Sequence, residues 1–140
     1  MKTLFKEITA KLDAVASIKW VDEDKGQMNF ERPPVLFPAA LVTISLPSTR
    51  NITISKQQAS AQIAVKLCFN YGGNTNSVTP DTDRDRSLQY YDVVDEVYKA
   101  LQGFSSPHFN ALERRAFNHI LRPDEHKTVV LTFTTDFIED

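Results

Sequence analysis

Ile63, Val65, Leu67 and Phe69 alternate with Gln62, Ala64, Lys66 and Cys68. One apolar and one mixed face at a period of two predicts a half-buried strand over residues 60–69, at the middle of a sheet. Residues 35–46 carry a second such pattern, with Ala40, Val42, Ile44 and Leu46 on one face and Leu41, Thr43 and Ser45 on the other. Pro38 sends the first half of that strand to a sheet edge or bulge, because proline has no N–H for the ladder. Residues 127–138 alternate in the same way, and residues 109–121 form a more mixed strand. The Pro123, Asp124, Glu125 turn between these last two makes them a hairpin.

Two segments carry the helical period instead. In residues 3–17, Leu4, Phe5, Ile8, Leu12 and Val15 fall within an arc of about 100°. In residues 86–102, Leu88, Tyr91, Val94, Tyr98 and Leu101 form one stripe, and Tyr90, Val93, Val97 and Ala100 form another beside it. That second helix has an apolar side covering about half its circumference, and Gly103 stands where a helix commonly ends. A short strand fits residues 18–22, followed by a polar turn at Glu23 to Gly26. Trp20 either covers the edge of the core or stands out as a binding anchor. Residues 70–85, with Gly72, Gly73, Asn74, Asn76 and Pro80, read as a loop. These elements predict an α+β fold, a single domain over residues 1–140 with an antiparallel sheet of about five strands and two helices packed on one face.

Composition leaves that picture unchanged. Hydrophobic residues are 41% and charged residues 24%, ordinary globular usage. A formal net charge of -2 gives no overall attraction to a polyanion. One cysteine, Cys68, allows no internal disulfide and no cysteine-cluster zinc site, which makes a reducing compartment the default. Residues 1–15 have neither the form of a secretory signal nor that of a membrane span.

Candidate chemistry is sparse. Asp81, Asp83, Asp85 and Asp92 have the spacing of calcium-loop ligands, but Arg86 stands where such a loop needs glycine. The acids are better read as complementing the positive end of the following helix. His119 and His126 straddle the final turn without a third ligand at a spacing that reaches them. Cys68 lacks any neighbour that would activate a thiolate. Gly72 and Gly73 do not run into a helix as a phosphate cradle must. No catalytic, cofactor-binding or metal-binding residue is assigned, and a non-enzymatic role is expected. Arg114, Arg115, Arg122 and Lys127 are the densest basic cluster, and a period of two puts Phe117 on the same face as Arg115. This is either a nucleic-acid-binding hairpin or a solvated face making inter-subunit ion pairs. Residues 47–59 are too long for a tight turn and too polar for core. With Ile52 and Ile54 alternating with Thr53 and Ser55, they form either a projecting β-arm or a mobile surface loop.

The order of these elements, the segments 34–46, 85–101 and 111–137, and above all the final stretch ALERRAFNHILRPDEHKTVVLTFTTDF resemble the tail-terminator or tail-completion proteins of phages and prophages. The resemblance implies a subunit that assembles with itself into a ring of six at the head-proximal end of the tail. Its further partners would be tail-tube and head-tail connector proteins, with no small-molecule substrate, membrane or cofactor. It would reside in the host cytoplasm and then in the virion tail. On position alone, Arg50, Asn51, Ile52 and Lys56 of the arm and the Arg114/Arg115 face are the expected subunit-interface residues. The alternatives are a nucleic-acid-binding module using the basic hairpin and a small metal-dependent enzyme.

Overall fold

A computed structural model describes Met1–Asp140. The elements in order are α1 (Lys2–Asp13), β1 (Trp20–Glu23), a 3-10 turn (Gln27–Asn29), β2 (Ala39–Asn51), β3 (Gln57–Phe69), α2 (Asp81–Ser87), α3 (Tyr90–Leu101), β4 (Glu113–Ile120) and β5 (Lys127–Glu139). The five strands form one sheet in the order β1-β2-β3-β5-β4. The α+β class, the five strands and the central place of residues 60–69 agree with the sequence. The sheet is mixed rather than wholly antiparallel, because β1 runs parallel to β2, with Trp20 opposite Ala39 and Glu23 opposite Val42. The long irregular stretch between them, residues 24–38, lets the chain return to the same end of the sheet and makes this possible.

One face of the sheet holds the main core. Ile63, Val65 and Leu67 of β3 meet Phe133, Leu131 and Val129 of β5 directly across the ladder, and Ala40 and Val42 continue the surface on β2. Onto it pack Leu4, Ile8 and Leu12 from α1 and Val94, Val97 and Leu101 from α3. Both helices therefore lie on that one face. The period-2 stripes of the strands and the 3.6-period stripes of the helices are the two halves of a single apolar layer.

The opposite face carries a smaller cluster that the sequence pattern does not reveal. Met28, Ala39, Leu41 and Cys68 are buried there, with Val35 and Phe37 against them. The 24–38 segment folds over this corner. Gln27, itself buried, donates to Asp22 Oδ2 at 3.1 Å and to the Glu23 carbonyl at 3.0 Å, and Lys66 on β3 pairs with Asp24 at 2.9 Å. Asp24 is held below the ordinary carboxylate range; burial pushes it up, but the Gly26 N–H and Lys66 together outweigh that.

The helix expected from residue 86 is two helices. α2 begins already at Asp81, and i→i+3 bonds from the Tyr91 and Asp92 amides to Leu88 and Gln89 tighten the chain before α3. Asp81 and Asp83 lie inside the first turn of α2, where carboxylates suit the helix dipole. Gly73 docks the preceding loop onto α2. Its φ is +68°, and a Cβ there would strike the Ser87 side chain, with its Cβ only 2.7 Å away. Gly73→Ala is expected to cost about 1–3 kcal/mol, read as a lower urea midpoint. A midpoint equal to that of the unaltered protein would show that the loop is not seated on Ser87.

Candidate functional site: the projecting arm and the basic hairpin

The 47–59 segment is a β-arm, not a loop. β2 continues to Asn51 and β3 starts at Gln57, and the two pair as far as Asn51 opposite Gln57. A register shift between Ser45 and Ser48 accommodates Pro47, whose missing N–H would otherwise interrupt the ladder. β5 supports one flank of the arm by pairing with β3 up to Glu139 opposite Gln57. The other flank, the β2 edge beyond Thr43, has no strand beside it, since β1 ends opposite Val42.

The four arm residues expected from the sequence gather around the tip. Arg50 donates to Gln58 Oε1 at 2.9 Å, Asn51 Oδ1 accepts from Gln57 at 2.9 Å, and Lys56 pairs with Asp140 at 3.5 Å. The reversal from Ile52 to Lys56 is closed by the Thr53 hydroxyl, which accepts from the Ser55 and Lys56 amides. Ile52 is half exposed and Ile54 stands wholly in solvent. Their alternation with Thr53 and Ser55 reads as strand in the sequence, and the tight turn instead turns Ile54 outward.

Arg114 and Arg115 lie on β4, separated from the arm strands by β5, so the structure does not bring the two groups together. Nor do the two arginines share a face. Arg114 is opposite Phe133 and Ala116 opposite Thr132, which leaves Arg115 as the extra residue of a bulge. Arg114 stacks over the Tyr98 ring of α3, 4.3 Å from its centre. Arg115 reaches Thr134 Oγ1 at 3.2 Å and pairs with Glu113 at 3.1 Å on the other side. Strict alternation therefore misplaces Phe117, which packs against Tyr91 on the helix side with Arg114. The remaining cations of the hairpin are also engaged within the chain. Arg122 donates to Asp124 at 2.6 Å and to the Met28 carbonyl at 2.7 Å, and Lys127 lies 4.9 Å over the Tyr90 ring.

The histidines separate as well. His119 stands among Tyr90, Tyr91 and Phe117, and burial, with Lys127 adding to it, lowers its pKa below the usual imidazole value. His126 stacks on Phe37, with centroids 5.4 Å apart, and contacts Asp124. No three His, Cys, Asp or Glu side chains are placed so that they could hold a metal ion. Cys68 is fully buried, and desolvation pushes its thiol up to about 12. The Asp124 carboxylate is held well below its ordinary range, chiefly by the Arg122 hydrogen bond and further by His126, against a smaller opposing effect of burial.

A depressed carboxylate contributes stability that is complete above the unfolded value of about 4 and lost as pH falls through the folded one. Asp124→Asn is therefore expected to lower the urea midpoint at pH 7 and to lower it by clearly less at pH 2. An equal deficit at both pH values would show that the carboxylate charge contributes nothing.

Two of the surface grooves stand out. One, about 680 Å³, runs between the start of α1, the 106–110 loop and the end of β5, where Glu7 binds Ser106 and His108 at 2.8 and 3.1 Å. The other, about 290 Å³ and more apolar, lies where the 69–71 stretch passes α2 and α3, beside Pro38 and Tyr90.

Fold and surface together define an α+β sheet protein with an apolar-tipped arm at one end. No family model matches the sequence, and no curated protein matches it significantly. Among solved structures, the chain is similar to one from the virion of a native gene transfer agent particle, at 11% identity and a TM-score of 0.48, over 94% of this chain and 84% of that one. No helix of the chain is long and apolar enough to cross a membrane.

Proposed function

We propose that this protein is a structural, non-enzymatic subunit of a phage or prophage tail, of the tail-terminator type, assembling with itself into a ring of six at the head-proximal end of the tube. The observation that carries the reading is the arm. Two strands of 13 residues hold Ile54 fully in solvent at their turn, although burying such a side chain is worth roughly 2 kcal/mol. A partner surface accounts for that cost. The resemblance of the C-terminal stretch to tail-completion proteins supplies the class of assembly. In this reading the protein acts by shape and contact, passes from host cytoplasm into the virion, and meets tail-tube and connector proteins.

Deleting the gene from the element that encodes it is expected to give tails of uncontrolled length and heads without tails, visible by electron microscopy and restored by supplying the gene in trans. Normal virions from the deletion would refute the role.

A further inference from the structure

The sheet has two free strand edges besides the short β1. β4 is its last strand, and β2 loses its outer neighbour where β1 stops opposite Val42. A free edge presents a row of backbone donors and acceptors with which another strand can pair. The bonds already made fix which residues present them. On β2 the Val42 carbonyl points outward and accepts from the Asp24 amide at 2.9 Å, so Ile44, two residues on, points the same way. On β4 the Arg114 amide points outward to Gln102 Oε1 at 2.8 Å. Phe117 and His119 share the helix-covered face with Arg114, opposite Leu131 and Val129, and residues on one face of a strand send their backbone groups to one side. No turn, loop or cap bond engages the backbone of Ile44, Phe117 or His119.

The two edges fit each other. β2 and β4 run in opposite directions, because the β2–β3, β3–β5 and β5–β4 pairings are all antiparallel. A second copy set beside the first, helices on the same side, therefore brings its β4 antiparallel to β2. β4 has eight residues. With its Ile120 opposite Thr43, the first position that β1 leaves free, it reaches Glu113 opposite Arg50. A shift of one residue would put every side chain on the wrong face, and a shift of two toward β1 would collide with that strand. In this register Leu46 meets Phe117 and Ile44 meets His119 on the helix side, where Ile44, Leu46 and Phe117 are only partly buried within one copy. Each strand also carries one extra residue, between Ser45 and Ser48 in β2 and between Arg114 and Ala116 in β4. The two irregularities fall side by side, so the faces match again beyond them, Thr49 with Arg114 and Arg50 with Glu113. Charge does not oppose the pairing: Arg114 is stacked over Tyr98, and Glu113 stands between Arg115, its partner within the chain, and Arg50 of the other copy.

We infer that β4 of one copy adds to the free half of β2 of a second copy, with Phe117 opposite Leu46 and His119 opposite Ile44, continuing the sheet from subunit to subunit. The contact rests on the self-assembly reading above and names the surface that carries it. Backbone hydrogen bonds supply the attachment, and the half-covered apolar side chains fix the register. Because the two edges are different surfaces, the contact is heterologous and repeats from copy to copy until a ring closes.

Ser45 and Asn118 are exposed on the open face and form a non-hydrogen-bonded pair in this register, with Cα atoms ~4.5 Å apart, within reach of a disulfide. The test is the full chain carrying Ser45→Cys with Asn118→Cys, oxidised mildly and run on a denaturing gel without reductant. A ladder of covalent multimers is expected. Neither single variant should give one, and Thr43→Cys with Asn118→Cys, two residues out of register, should give at least ~10-fold less. Cys68 is buried and takes no part. In sedimentation velocity, His119→Pro should weaken self-association by at least ~10-fold, since it removes an outward N–H and leaves the bonds to β5 in place. Should that variant unfold by circular dichroism, the cysteine pair still decides.

An unaltered protein that assembles while the Ser45 and Asn118 cysteines give no ladder would overturn the contact and leave the ring. So would an equal ladder from the Thr43 pair, or an unaltered protein that stays monomeric at the highest attainable concentration. Normal virions after gene deletion would remove the tail reading, and a ladder in register would uphold the strand pairing all the same.

Discussion

Phe133→Ala is expected to lose about 3–5 kcal/mol of stability, a large part of the 5–15 kcal/mol that holds an ordinary domain together. Phe133 is fully buried in β5, the strand between β3 and β4. It lies opposite Ile63 on one side and Arg114 on the other, in the layer that α1 and α3 cover. Three elements meet around its ring, so the void cannot close by movement of one side chain. Urea unfolding should show a reduced midpoint with little change in slope. A loss under ~1 kcal/mol would mean that the helices settle into the space and that the core is less tightly packed than the burial indicates.

Leu41→Ala is expected to cost about 2–3 kcal/mol and to act locally where Phe133→Ala acts globally. Leu41 belongs to the four-residue cluster on the opposite face, with Met28, Ala39 and Cys68. That cluster is closed by an irregular segment rather than by a helix. Its loosening should release the 24–38 cover before the sheet unfolds. Cys68 reports the event directly. Buried and pushed up to about 12, its thiol should react very slowly with iodoacetamide in the unaltered protein. In Leu41→Ala it should react faster than in a variant of equal global stability altered in the main core. Equal labelling rates in the two would show that the second cluster opens only with the whole domain.

The strands and helices were legible because each buries one face, and burial of one face writes a period into the sequence. Residues 60–69 and 127–138 alternate cleanly since the helices cover one side of the sheet and leave the other mixed. The same rule failed at Arg115, where one extra residue in β4 moves Phe117 across the sheet. A bulge leaves no compositional mark. The arm was half legible. Pro47 and the polar run obscured two strand ends that add little beyond Ala59 to the core, and Ile52 and Ile54, whose alternation reads as strand, lie in the turn between them. The 290 Å³ groove was not legible at all. Pro38, Phe69, Tyr71, Tyr90 and Val93 come from three separate parts of the chain, and each had an adequate local explanation.

By itself the amino-acid order determined the class of fold, the faces of its main strands and helices, and the absence of close-spaced ligand or nucleophile motifs, because these depend on neighbours within a few residues. Tertiary structure alone decided the parallel placing of β1, the second cluster around Leu41, the separation of Arg114 from Arg115, and the placing of exposed Ile54 at the end of the sheet opposite the groove at Phe69. Those features arise from contacts between residues far apart along the chain, where no short-range periodicity can encode which surface meets which.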